Sequence, residues 1–136
     1  MAEVVVIEVV EELDVGRARR AAAALCTEAG LGGADAGCVT TSVAELARNL
    51  WQHAGGGTIT LHLGATPDDP WIEVQAEDTG PGIADVAQAM QDGYSTIGSL
   101  GSGLPGVRRL MDEFRIESEP RVGTRIIARK WAKRRK

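Results

Sequence analysis

Residues 38–54 (CVTTSVAELARNLWQHA) constrain the chain more than any other stretch. Their composition favours a helix, and Gly55-Gly56-Gly57 stops it. At about 100° per residue, Val43, Leu46, Ala47, Leu50 and Ala54 share one side, while Glu45, Asn49 and His53, spaced i, i+4, i+8, form a polar stripe beside them. Such a helix has to bury its apolar side against something while keeping the stripe at the border.

The sequence supplies a sheet for that role. Residues 3–10 (EVVVIEVV), 58–63 (TITLHL), 71–77 (WIEVQAE), 114–118 and 124–131 (TRIIARKW) read as strands, by alternation or β-branched content. Residues 14–30 read as another helix, with Asp14 as its cap and Gly30 as its stop, and residues 104–114 (LPGVRRLMDEF) as a third. LGGADAG, between the first two helices, reads as a turn. The order predicts an α+β fold: a two-layer sandwich, with a mixed sheet covered by helices on one face. Residues 79–103 contain six glycines and read mainly as a loop, long enough in so small a chain to be functional or disordered.

A length of 136 residues suits one domain, residues 1–136, ending in a short basic tail at 132–136. With only five aromatic residues, the core has to be built from Val, Ile, Leu and Ala. Fifteen basic and 19 acidic residues give a net charge of −4. From Lys130 onward the chain holds five of the basic ones, so the body has 10 basic against 19 acidic, a net of −9. An acidic body argues against nucleic-acid binding. The tail reads as a solvated terminus, with contact to nucleic acid or acidic lipid as the alternative. No apolar run approaches the length of a membrane span, and Met1 to Val10 is too acidic for a secretory signal. Cys26 and Cys38 lack metal-ligand or CxxC spacing and read as small buried hydrophobes of a cytoplasmic protein.

Four places can carry chemistry. On the second helix, the amide oxygen of Asn49 can ligate a hard cation and Glu45 can orient or deprotonate a nucleophile; the spacing alone also fits an ordinary solvated face. Asp78-Thr79-Gly80-Pro81-Gly82-Ile83 follows a strand, where Gly80 and Gly82 permit close approach of a ligand; an ordinary turn has the same composition. Gly101-Ser102-Gly103-Leu104-Pro105-Gly106 matches G-x-G-x-x-G, but no strand precedes it, which disfavours a dinucleotide fold, and no Gly-Lys-Ser/Thr follows for a Walker loop. Glycines before a helix N-terminus can still cradle phosphates. Gly123-Thr124 opens the last strand and on its own is an unremarkable turn.

The order of these features carries a resemblance. E-x-x-x-N on a helix, D-x-G-P-G-I, a flexible loop, G-x-G-L and then G-T is the motif order of the GHKL-type ATPases and kinases, over roughly two-thirds of the chain, from Val39 to Lys130. SVAELARN, MQDGYST and GSLGSGLPGVRRLMDEF resemble the anti-sigma regulatory serine/threonine kinases, the switch-kinase type more than the type that binds sigma directly. The resemblance implies a Bergerat-type sandwich that uses ATP and Mg²⁺. Glu45 would be the general base and Asn49 the Mg²⁺ ligand. Asp78 would hold the adenine amino group with support from Thr124, Gly80 and Gly82 would pass close to the base, Gly101 and Gly103 would close over the phosphates, and residues 84–100 would form a lid. The implied partners are a STAS-domain antagonist, which it would phosphorylate, and a PP2C-type phosphatase, which it would activate, with a sigma factor as a further possibility. An anti-sigma factor or a non-catalytic nucleotide-gated module is the alternative. The pattern departs at Gln52, where many histidine kinases carry a basic residue; a phosphate contact would then come from the lid, Arg48 or His53, although Arg48 equally fits an exposed charge and His53 a surface role.

Overall fold

The computed structural model describes residues 3–65, 70–78, 103–119 and 122–132. The chain runs β1 (Glu3–Val9), α1 (Leu13–Ala29), α2 (Gly33–His53), β2 (Gly57–Ala65), β3 (Pro70–Asp78), α3 (Gly103–Leu110), β4 (Glu113–Glu119) and β5 (Gly123–Trp131). The strands form one sheet in the order β1-β2-β3-β5-β4. The α+β sandwich is therefore the expected one, but every pairing is antiparallel, where a mixed sheet was predicted. Connectivity gives the reason. With two helices between β1 and β2 the chain reverses three times, an odd number, so β2 returns antiparallel. β4 runs parallel to β3, but β5 lies between them and pairs with both.

Strand alternation puts Ile7, Val9, Ile59, Leu61, Ile72, Val74, Ala76, Ile126 and Ala128 in the core cluster. Val39, Val43, Leu46, Ala47 and Leu50 of α2 and Ala18, Ala22, Leu25 and Cys26 of α1 complete it. Small alanines on α1 let the two helices pack closely. Burial pushes the Cys26 thiol up to about 11, so it behaves as an apolar group, while Cys38 is only half-buried. α1 ends at Gly30, whose left-handed backbone (φ 75°) lets its N–H reach the Cys26 and Thr27 carbonyls.

Three local readings are corrected. LGGADAG is largely helical: α2 begins at Gly33, because burial of Val39 and the packing against α1 override weak glycine propensity. Asp14 does not cap its own helix, whose N-cap is Glu12. Its buried carboxylate instead accepts the backbone N–H groups of Val10 (2.9 Å) and Glu11 (3.1 Å) and the Arg17 guanidinium (2.7 Å), which clamps the β1–α1 corner. α3 stops at Leu110 because the Asp112 N–H is taken by the Arg129 carbonyl of β5 (2.9 Å), and the Asp112 carboxylate accepts the Trp131 N–H (2.9 Å). Lys130, only 6% exposed, donates to the Leu110 carbonyl (3.0 Å) and the Asp112 carboxylate (3.4 Å) and lies 3.9 Å from Asp35 of α2. One ammonium thus ties the end of α3 to β5 and to the first turn of α2.

The opposite face of the sheet carries its own cross-strand cluster. Arg129 donates to buried Glu73 at 2.8 Å, Gln75 donates to the same carboxylate at 2.9 Å, and the guanidinium sits 4.2 Å from the Trp71 ring centre. Burial alone would raise the Glu73 carboxyl, but the hydrogen bonds from Arg129 and Gln75, with the charges of Arg129 and His62, leave it below the ordinary carboxylate range.

Two outcomes are expected. Lys130→Ala leaves the Leu110 carbonyl and Asp112 without their donor and should lower unfolding free energy by about 1–3 kcal/mol in urea denaturation. The Asp14 carboxyl lies below its ordinary value, chiefly through the Val10 N–H, against the effect of burial and with help from Arg17 and Glu11. The unfolded chain therefore binds more protons, and the clamp's contribution is complete above the unfolded pKa of ~3.9. It is lost as pH falls through the lower folded value. Wild type should exceed Asp14→Asn in stability at neutral pH, and the gap should close in acid; a gap independent of pH between 7 and ~2 would refute this.

Candidate functional site

α2 carries the first group of expected site residues on the border of its buried face. Glu45 is nearly buried at 8% exposure, Asn49 is half-buried and Gln52 is exposed. Helix spacing makes Glu45 and Asn49 neighbours one turn apart. Arg48 does not hang free: its Nη1 donates to Glu45 Oε1 at 2.7 Å. The other carboxylate oxygen, Oε2, is buried with no hydrogen-bond partner among the described residues. Ser42 Oγ, one turn earlier, is likewise buried and unpartnered among them.

The second group is set by strand register. Asp78 ends β3 directly opposite Thr124 of β5, and Thr124 is opposite Ser118 of β4. The Ser118 and Thr124 hydroxyls are 2.8 Å apart. Three polar residues thus lie in one row across three strands, at the same end of the sheet. An open groove of about 790 Å³ borders this row, lined by Asp78, Ile116, Ser118, Gly123 and Thr124 among others. Ser118 was not picked out from the sequence. Its signal is alternation, since it follows Phe114 and Ile116 on the core-facing side and is the first polar residue there.

Gly57 joins the two groups. A Cβ at this position would collide with the Glu77 carbonyl oxygen, come 2.8 Å from Leu50 Cδ2 of α2 and lie 3.3 Å from Asp78 Cβ. The end of α2 and the end of β3 therefore meet over one residue without a side chain. Gly103 opens α3 with φ 46° and is buried. α3 packs on α2, and Pro105 occupies its first turn, where a missing N–H costs nothing. Gly80, Gly82, Gly101 and the expected lid at 84–100 lie outside the described residues, as does the basic tail from 133; of His53 only the backbone position, at the end of α2, is described.

Among the described residues no three of His, Cys, Asp and Glu gather as a metal cage. Asn49 offers a single amide oxygen, the kind of donor that Mg²⁺ uses when nucleotide phosphates and water fill its remaining positions. This donor set fits an ion carried in on a nucleotide. No helix among the described residues is long and apolar enough to cross a membrane.

The described residues form an α+β sandwich, an antiparallel sheet covered by helices with polar groups gathered at one end. The profile described as the histidine kinase-like ATPase domain matches residues 10–130, and the chain belongs to that family. It is 43% identical over 125 residues to the serine/threonine-protein kinase RsbT of Bacillus subtilis, covering 92% of this chain and 94% of that protein. It is also 36% identical over 102 residues to an anti-sigma F factor of Clostridium novyi, covering 70% of each. A second anti-sigma F factor, from Halalkalibacterium halodurans, is 32% identical over 99 residues, covering 68% of this chain and 66% of that protein.

Gly57→Ala should destabilise the fold by about 1–3 kcal/mol through overpacking. Gly33→Ala, in open space at the start of α2, should be neutral or stabilising by up to about 1 kcal/mol. Urea denaturation followed by tryptophan fluorescence distinguishes the two signs.

Proposed function

We propose that this chain is a cytoplasmic Mg²⁺-ATP-dependent protein serine/threonine kinase that acts as a partner switch. It phosphorylates a STAS-domain antagonist and, released from it, activates a PP2C-type phosphatase in bacterial sigma-factor control. The observation that carries the reading is Glu45: a carboxylate held almost out of water, with one oxygen unpartnered among the described residues, beside Asn49. A protein that only bound partners need not keep such a group. Similarity to a serine/threonine kinase over nearly the whole chain points the same way.

In this reading Asp78 accepts the adenine amino group, and Thr124, held by Ser118, supports that contact. Asn49 would hold Mg²⁺, and the ion would supply charge neutralisation to the nucleotide phosphates. The partner's hydroxyl oxygen attacks the γ-phosphorus, its proton passes to Glu45, and the bond to the β-phosphate oxygen breaks to release ADP. Such a transfer depends mainly on positioning and electrostatics. A buried base beside the phosphates provides the first, and exclusion of water strengthens the second.

Transfer from γ-labelled ATP to purified STAS-domain proteins tests the reading. Glu45→Gln should lower transfer by about 10²–10⁴-fold and leave ATP affinity unchanged in calorimetry. Asp78→Asn should weaken ATP binding by about 10–100-fold, the value of a hydrogen bond to a charged group. Tight ATP binding with no transfer to any such protein would refute the kinase. The similarity to anti-sigma F factors supports a second reading, a sigma-sequestering protein gated by ATP. Nucleotide-dependent co-purification with a sigma subunit would favour it.

A further inference from the structure

We propose that Arg48 is a positioning residue for phosphoryl transfer: by holding Oε1 of Glu45 it orients the carboxylate and leaves Oε2 as the oxygen that takes the hydroxyl proton. The inference rests on the kinase reading above.

The geometry distinguishes the two oxygens. Oε1 receives the Arg48 Nη1 donor at 2.7 Å, as short as a charge-assisted hydrogen bond becomes. Oε2 is buried and lacks a partner among the described residues. The pair lies at the water boundary, with the Arg48 side chain 38% exposed and that of Glu45 only 10%. A helix pair of that exposure contributes little to stability, so its value lies in direction. A nearly buried carboxylate with both oxygens bare would turn toward water and carry the base out of position. With Oε1 engaged, the rotation of the carboxylate is fixed.

The step balances as follows. The O–H bond of the attacking hydroxyl breaks and its proton goes to Oε2. The oxygen's electron pair forms the new bond to the γ-phosphorus. The bond from that phosphorus to the bridging oxygen breaks, and its electron pair leaves with ADP. Arg48 touches none of these atoms and acts only through Glu45. Its donor is committed to a carboxylate, which separates this role from the phosphate contact considered from the sequence.

The test uses the full chain with Mg²⁺-ATP and water as acceptor, reading phosphate release and, separately, ATP affinity by calorimetry. Wild type, Arg48→Ala, Arg48→Lys, Glu45→Gln and the Glu45→Gln/Arg48→Ala double variant are compared. Arg48→Ala should lower kcat about 10–100-fold while KM and ATP affinity change less than about two-fold. Arg48→Lys, which keeps the charge, should recover part of the rate. In the Glu45→Gln background Arg48→Ala should change the rate less than about two-fold, because the base that Arg48 positions is already gone. Weaker ATP binding with kcat retained would make Arg48 a phosphate contact and overturn the proposal, as would equal losses in both backgrounds. Either result leaves the kinase reading standing. A wild-type chain that binds ATP but turns over with neither water nor STAS acceptors removes the kinase reading and the proposal together.

Discussion

The packing of α2 against the sheet is the constraint on which the rest depends. Val39, Val43, Leu46, Ala47 and Leu50 are buried to within a few per cent, and each large aliphatic side chain contributes about 1.5–3 kcal/mol relative to exposure. That sum far exceeds the penalty of keeping Glu45 nearly out of water with one oxygen unpartnered among the described residues, which is of order 1–3 kcal/mol. The core thus holds the carboxylate where its own hydration would not. Rotating α2 by one residue position would move Glu45 and Asn49 together, so the border between apolar and polar on this helix fixes both at once.

The other half of the candidate site depends on strand pairing. Asp78, Thr124 and Ser118 come from the end of one strand, the start of another and the end of a third. They share a row because antiparallel registers leave no freedom once each strand has chosen its buried face. Gly57 then removes the last obstacle between this row and α2. A chain with two separately well-formed halves would still lack a single site if that position carried a methyl group.

Much of this was legible in residue periodicity. The apolar side of 38–54 and the alternation of the strands gave the core, since burial follows the 3.6- and 2-residue periods directly. What escaped was decided by contacts distant in sequence. The start of α2 among glycines depends on its neighbours. The antiparallel pairing of β3 with β5 depends on where the final hairpin docks, and the early end of α3 on Asp112 meeting β5. The pairing of Arg48 with Glu45 was missed because a single sequence does not say which neighbour an arginine chooses. Ser118 was passed over because a serine at a strand end is common, and only its register opposite Thr124 makes it distinctive.

The position of β5 has a consequence for how the polypeptide is made. The last strand in sequence is fourth in the sheet, between β3 and β4. During vectorial synthesis β4 leaves the ribosome with no strand to pair with, and β3 keeps a bare edge, until residues 123–131 follow. The row that includes Asp78 and Thr124 cannot form earlier, because one member belongs to that last strand. A nascent chain thus holds its first three strands before the row of Asp78, Thr124 and Ser118 can be complete. Its exposed β3 edge meanwhile invites pairing with other chains. Assembly of this row is therefore a late event of folding, because it waits for residues 123–131 to join the sheet.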